Sequence, residues 1–149
     1  MSEFILPVRV YYEDTDAGGV VYHSQYLNFM ERARTEYLRD LGYDQDVLTG
    51  ELNVLFVVRR VQIDYLRPAR FNDQLEVCTA VEKLARVSVE FRQTVRRVNE
   101  PAPLSSGAST ATGQTELTRA TVKVACINAT SFKPDAIPQS IKGALSGDY

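Results

Sequence analysis

Apolar and polar residues alternate with a period of two in five parts of the chain, and each part predicts a β-strand. In residues 8–12 the side chains of Val8, Val10 and Tyr12 share one face. The other four runs are rich in Val, Ile, Thr and aromatic residues; they cover residues 54–66, 75–82, 87–98 and 117–128. Alternation of this kind is typical of antiparallel strands with one covered face.

One stretch repeats its apolar residues every three or four positions instead. Between residues 24 and 41 they form a single helical stripe, consisting of Tyr26, Leu27, Met30, Ala33, Tyr37, Leu38 and Leu41. Ser24 suits the N-cap because its hydroxyl can accept a hydrogen bond from a free amide, and Gly42 suits the left-handed residue that closes a helix. The pattern predicts one long helix, and residues 138–145 are expected to form a short closing helix.

This order of elements predicts an α+β fold in which an antiparallel sheet covers its apolar face with a single helix. A five-stranded antiparallel sheet wrapped around one long central helix is the hotdog fold, although periodicity alone also permits an α+β sandwich or a ferredoxin-like order. A length of 149 residues predicts one domain covering residues 1–149. Residues 99–114, rich in Pro, Ala, Ser, Thr and Gly, are expected to form a mobile hairpin tip.

Composition narrows the classes of function. The net charge of -2 comes from acids and bases spread along the chain, which argues against a nucleic-acid partner. No apolar run is long enough for a transmembrane segment, and no basic cluster precedes the short apolar start, so we expect a soluble cytoplasmic protein. Cys78 and Cys126 lack CxxC spacing and are expected to be free core thiols. With His23 as the single histidine, neither a metal nor another cofactor is expected.

The chemistry is concentrated in the loop between the first strand and the long helix. Asp14, Thr15 and Asp16 are followed by Gly18 and Gly19, which favour a tight turn just upstream of the helix start. Amides in the first turn of a helix lack partners and carry the positive end of its dipole, so they can polarise a carbonyl. A carboxylate beside that carbonyl can attack it or activate water. The loop therefore predicts an acyl-transfer site.

Residues 8–26 as a whole resemble the signature of the 4-hydroxybenzoyl-CoA thioesterase family of hotdog enzymes, and within it the branch associated with the Tol-Pal system. The similarity continues through residues 29–36, 56–60, 65–70 and 133–138. It implies an enzyme that hydrolyses the thioester bond of acyl-CoA without a metal. Thioesters of acyl carrier protein are an alternative substrate.

The resemblance also assigns roles to residues. The family's catalytic carboxylate matches Asp16 rather than Asp14, and acts as nucleophile or as general base. The other members of the motif match Tyr12 and His23, and the backbone amide of His23 is expected to face the thioester carbonyl in a cavity shared with Asp16. Tyr12 has two interpretations, because its strand face predicts core or dimer packing as readily as substrate contact.

Basic residues near the expected mouth of the site are candidates for binding the phosphates of CoA. Arg86 and Lys123 occupy positions similar to phosphate contacts in the family, and Arg59 and Arg60 are weaker candidates because a basic side chain on a strand is more often simply solvated. The resemblance further implies a homodimer or homotetramer in which strands continue across subunits. A small sheet with uncovered edges needs such pairing or another form of edge protection.

Two departures from the family pattern bear on function. The segment 101–113 is longer than the tight hairpin expected there, which could alter assembly. The aryl-CoA enzymes of the family have an aromatic residue at the position of His23, so a general acyl-CoA substrate fits better than hydroxybenzoyl-CoA. The competing functions are a hotdog hydratase or dehydratase and a non-catalytic acyl-binding or envelope-assembly scaffold.

Overall fold

The computed structural model describes residues 3–99 and 114–147. Its strands are β1 (Phe4–Arg9), β2 (Val54–Tyr65), β3 (Gln74–Leu84), β4 (Ser88–Val98) and β5 (Gln114–Asn128). Its α-helices are α1 (Gln25–Asp40) and α2 (Gln139–Ser146). All strand pairs are antiparallel, and the order across the sheet is β1-β3-β4-β5-β2. The predicted α+β hotdog arrangement is confirmed.

Most of the apolar stripe predicted for α1 is buried, but Leu27 is exposed and Phe29, which was not in the predicted stripe, is buried in its place. Phe29, Met30 and Ala33 are fully buried, and α1 packs against β1, β3 and β4. On the sheet side, Leu75 and Val77 of β3 are also fully buried. The burial of these apolar side chains is the main favourable term that holds the helix on the sheet.

The first strand differs from the prediction. It begins at Phe4 and ends at Arg9, so it starts four residues earlier than expected and stops before Tyr12. Pro7 obscured this strand in the sequence, but β1 is an edge strand, where proline is tolerated. Tyr12 begins a short 3-10 turn that ends at Asp14, and its side chain is 82% exposed. The expected packing of Tyr12 into the core with Val8 and Val10 is therefore wrong.

At the ends of α1, the predicted closing residue is confirmed and the predicted N-cap is wrong. Gly42 has a φ of 98°, the left-handed conformation predicted for it. Ser24 precedes the helix, but its backbone is already helical and its side chain makes no capping hydrogen bond. A capping residue needs an extended backbone for its side chain to reach back to the helix amides, so the predicted cap is absent.

The chain closes with the expected short helix, whose Ile141 and Leu145 are buried under the sheet's covered face. A single π-helical turn, Val47–Glu51, was not predicted and buries Leu48 completely. β4 and β5 pair up to Val98 and Gln114. The predicted mobile hairpin tip lies, apart from its first and last residues, outside the described residues.

Candidate active site

The loop that joins β1 to α1 folds back on itself as a small hairpin. Thr15 and Val21 form an isolated antiparallel bridge, and the amide of Asp16 donates to the carbonyl of Val20 at 2.9 Å. The turn between them is closed by the amide of Gly19, which donates to the carbonyl of Asp16 at 3.0 Å. Gly19 has a φ of 80°, a conformation that favours glycine. These bonds hold the loop beside the start of α1.

Asp14 ties this hairpin to its surroundings. It is 5% exposed, and its carboxylate accepts hydrogen bonds from the Tyr11 amide at 2.8 Å and from Nε2 of Gln25 at 2.7 Å. Its backbone carbonyl accepts a third from the amide of Tyr22 at 2.9 Å. Both carboxylate oxygens thus have a protein donor, and the side chain connects the end of β1 to the first turn of α1.

Asp16 is arranged differently although it is only two residues away. Its side chain is exposed, and Oδ1 accepts a hydrogen bond from the amide of Gly18 at 2.8 Å. A Cβ atom at position 18 would lie 3.2 Å from that same oxygen, so a glycine allows the close approach. No described residue donates to Oδ2. One carboxylate oxygen is therefore fixed while the other is free to act on a ligand or on water.

His23 lies at the junction of the loop and α1. Its ring is exposed and packs at 4.5 Å against Tyr22, and its carbonyl accepts a hydrogen bond from the Tyr65 hydroxyl at 2.9 Å. Within residues 3–99 and 114–147, nothing accepts a hydrogen bond from the amides of His23 or Ser24. Free amides at a helix start are donors suited to a substrate carbonyl.

A pocket of about 280 Å³ opens beside His23. Tyr26 and Tyr65 form part of its wall with their rings 5.6 Å apart in an edge contact, and burial raises the pKa of both hydroxyls. The remaining lining residues are Val21, Leu66, Arg67 and Pro68. Asp16 does not line this pocket, so the cavity expected to be shared by Asp16 and the His23 amide stays a prediction. Both residues nevertheless belong to one hydrogen-bonded loop.

The other predicted site residues lie outside the pocket beside His23. Tyr12 is on the outer side of the loop, where its ring meets the edge of Phe71 at 6.0 Å. Arg86 is exposed in the turn between β3 and β4, and Lys123 lies on β5 between Glu90 and Arg60 in the strand register.

The separation of Arg86 from the loop can be gauged along β4. Ser88 marks the strand end next to Arg86, whereas Arg97, near the other end, contacts Pro68 and Asp73 on either side of Arg70, which bridges to Val20. Nine residue steps at about 3.3 Å each put roughly 30 Å between these positions. Within one chain, Arg86 and Asp16 therefore lie toward opposite ends of the sheet.

A buried polar network that the sequence did not predict lies under the middle of α1. Gln93 is fully buried; its Nε2 donates to Thr79 Oγ1 at 2.8 Å and to the carbonyl of Met30 at 3.0 Å, and its Oε1 accepts from Arg34 at 2.9 Å. Burial lowers the pKa of the Arg34 guanidinium. Arg34 also lines a cavity of about 110 Å³ between α1 and the sheet. These contacts join residues far apart in sequence, so no local motif indicates them.

Neither a candidate metal site nor a membrane-spanning helix is found among the described residues. Among residues 3–99 and 114–147, no group of three or more His, Cys, Asp or Glu side chains could hold a metal ion. In the same ranges, no helix is long and apolar enough to cross a membrane.

A family model described as the thioesterase superfamily matches residues 18–104 of the chain. This match covers more than half of the sequence and includes the end of the loop from Gly18 onward, α1 and β2 to β4. The chain belongs to the thioesterase superfamily. The predicted class of enzyme, a thioester hydrolase, is thereby confirmed.

Individual members of the thioesterase superfamily agree with this assignment. The chain is 45% identical over 142 residues to the acyl-CoA thioesterase YbgC of Haemophilus influenzae, covering 95% of this chain and 93% of that protein. It is 35% identical over 143 residues to the YbgC acyl-CoA thioesterase of Helicobacter pylori, covering 93% and 96%. The crystal structure of a probable thioesterase from Bartonella henselae superposes with a TM-score of 0.77 at 32% identity, covering 92% and 100%.

Proposed function

We propose that this protein hydrolyses acyl-CoA thioesters, with Asp16 as the catalytic carboxylate and the backbone amide of His23 as the group that polarises the thioester carbonyl. The observation that carries the proposal is that one short loop holds both a carboxylate oxygen and backbone amides without hydrogen-bond partners among the described residues. Asp16 has an exposed carboxylate with a free oxygen, and the amides of His23 and Ser24 lack partners among the described residues. The two relatives called acyl-CoA thioesterases support the choice of substrate.

The proposed reaction uses these groups in two steps. The thioester carbonyl accepts a hydrogen bond from the His23 amide, which stabilises the negative oxygen that forms when the carbonyl is attacked. Asp16 either removes a proton from the attacking water or attacks the carbonyl itself to form an anhydride, which water then cleaves. In both routes the carbon–sulfur bond breaks, CoA leaves as a thiol, and the acyl group leaves as a carboxylic acid.

Tyr12 and the basic residues have less direct support. Tyr12 is proposed to contact either the substrate or a neighbouring subunit, since its exposed ring is free for both. Arg86 and Lys123 are proposed to bind the phosphates of CoA in an assembly of two or more copies. Arg86 lies far from Asp16 of the same chain. An Arg86 that binds CoA at a given Asp16 would therefore come from a second copy of the chain.

A homodimer is consistent with the open edge of β2. The described residues give β2 a partner strand on one side only, β5, and Val58, Val61 and Tyr65 on β2 are exposed. A strand of twelve residues with one unpaired edge and exposed apolar side chains is a surface that proteins usually cover. The proposal of a homodimer or homotetramer can be tested by light scattering of the purified protein.

The proposed function is tested by measuring the CoA thiol released from a panel of acyl-CoAs of increasing chain length, with the same acyl groups on acyl carrier protein in parallel. We expect turnover of at least one acyl-CoA. Preference for the carrier-protein thioesters would shift the substrate class. Hydration of an enoyl-CoA without thiol release would favour the hydratase alternative, and tight binding of acyl-CoA without any product would favour the scaffold.

A further inference from the structure

Tyr65, the last residue of β2, makes a hydrogen bond that bears directly on the start of α1. Its hydroxyl donates to the carbonyl of His23 at 2.9 Å, although the two residues are 42 positions apart. The ring of Tyr65 also meets His23 edge-on at 6.4 Å. The contact therefore joins the open-edge strand of the sheet to the junction between the loop and the helix.

The position of the hydroxyl is itself well defined. The ring of Tyr65 packs against Tyr26 at 5.6 Å, and Tyr26 is 3% exposed. The hydroxyl of Tyr26 accepts a hydrogen bond from the buried amide of Ala69 at 3.0 Å. Tyr65 is thus supported by a neighbour that is fixed both by packing and by a hydrogen bond.

The hydrogen bond lies one residue before the N-cap position of α1. In a continuous α-helix the carbonyl of His23 would accept from the amide four residues later, that of Leu27. Instead, Leu27 donates to the carbonyl of Ser24 at 3.1 Å, and the Tyr65 hydroxyl occupies the carbonyl of His23. Because the peptide unit is planar, fixing this carbonyl also fixes the direction of the Ser24 amide in the same unit.

We propose that Tyr65 is a positioning residue for the thioesterase reaction: its hydroxyl holds the His23–Ser24 peptide so that the free amide of Ser24 keeps one orientation beside that of His23, as a second donor toward the thioester carbonyl. Tyr65 acts through the backbone and does not touch the reacting atoms. The inference rests on the proposed acyl-CoA hydrolysis and adds a residue to it. Donors fixed in advance stabilise a developing oxyanion more effectively than donors that must reorient.

The variant Tyr65→Phe removes the hydroxyl and keeps the ring, so its contacts with His23 and Tyr26 remain. We expect kcat for the best acyl-CoA to fall about 3- to 10-fold, the effect of one hydrogen bond, while KM changes less than about 2-fold. The thermal midpoint of unfolding should stay within about 3 °C of the unmodified protein. Tyr22→Phe is the matched control, since the Tyr22 ring also packs on His23 but its hydroxyl makes no hydrogen bond to a described residue.

The outcomes separate a positioning role from the alternatives. A kcat equal to that of the control would overturn the proposal, and so would a rise in KM with kcat unchanged, which would mean that Tyr65 binds substrate. A fall in kcat accompanied by a large fall in the thermal midpoint would show a merely structural role. If the unmodified protein hydrolyses no acyl-CoA, the proposed function fails; if it does and Tyr65→Phe is unaffected, only the role of Tyr65 fails.

Discussion

Two regions beside α1, one under the middle of the helix and one at its start, differ in how completely their polar groups are hydrogen-bonded. Under the middle of the helix, Gln93 uses its amide nitrogen and its amide oxygen on Thr79, Met30 and Arg34, and no water is needed to complete these bonds. At the helix start, Asp16 keeps one oxygen unused and the amide of His23 has no described acceptor. One region is saturated, and the other has spare hydrogen-bonding capacity.

The difference indicates what each region does. A buried polar group without a partner costs free energy, so the Gln93 network must be complete for the fold to be stable. An exposed group without a partner loses little, because water binds it, and it stays available to a substrate. Substitutions in the first region should therefore change stability, and substitutions in the second should change turnover.

The largest effect is expected for Asp16→Asn, which removes the negative oxygen and keeps nearly the same volume. We expect kcat for acyl-CoA hydrolysis to fall about 10²–10⁴-fold, the usual cost of losing a general base, or more if Asp16 is a nucleophile. The midpoint of thermal unfolding should move by less than about 2 °C, because the side chain is exposed. Steady-state kinetics and calorimetry on one preparation measure both quantities. An Asp16→Asn protein that turns over at the unmodified rate would contradict the assignment.

Gln93→Ala should have the opposite effect and lower stability rather than turnover. It leaves the hydroxyl of Thr79 and the guanidinium of Arg34 short of a partner and opens a cavity, so the free energy of unfolding should fall by about 3 kcal/mol. Urea denaturation measures this change. The matched control is Gln62→Ala on the exposed face of β2, which should alter stability by no more than about 0.5 kcal/mol. Equal stabilities for the two variants would show that the network is not saturated as described.

Asp14→Asn sharpens the comparison because Asp14 lies in the same loop as Asp16, but both of its carboxylate oxygens already accept hydrogen bonds. An asparagine offers one acceptor oxygen where two donors now bind, so we expect a loss of about 1–2 kcal/mol of stability. The kcat should fall far less than in Asp16→Asn, by under about 10-fold. The exposed neighbour Glu13 provides the control, since Glu13→Gln removes the same charge and should change neither quantity. A collapse of kcat in a stably folded Asp14→Asn protein would exchange the roles of the two acids.

Much of the fold could be predicted from local patterns. The helix and the last four strands were found within a few residues because their burial follows periods of 3.6 and 2. The first strand was displaced because Pro7 interrupts the alternation that Phe4 and Leu6 begin. The predicted cap at Ser24 is absent because the backbone of Ser24 is already helical, which its residue type does not reveal.

The loop of the candidate site could be identified from the sequence, whereas the contacts that support it could not. Asp14, Asp16 and His23 are close in sequence, so their motif could be recognised, but which acid is buried depends on Gln25 and Tyr11 in the folded loop. Contacts such as the one between Arg34 and Gln93 span 59 positions and leave no local signal. Where Arg86 lies relative to Asp16 depends on the registers of strands and on the assembly of subunits, which periodicity does not encode.

The smallest effect on stability is expected for Cys126, whose thiol is buried. It is fully buried on β5, and its sulfur contacts the carbonyl of Ala136 at 3.8 Å. Burial raises its pKa from an ordinary 9.0 to about 11, and the nearby Asp135 acts in the same direction. The unfolded chain therefore loses this proton at lower pH than the folded chain does. Between about pH 9 and pH 11 the folded state holds more protons, so the free energy of unfolding must fall as pH rises.

Other groups also titrate in this range, so the contribution of Cys126 is isolated by subtraction. The free energy of unfolding is measured by urea denaturation at several pH values for the unmodified protein and for Cys126→Ala. The variant should be less stable throughout because it loses packed volume, but its stability should fall less steeply above pH 9. Parallel curves would mean that the thiol of Cys126 is not shielded from water as its burial indicates.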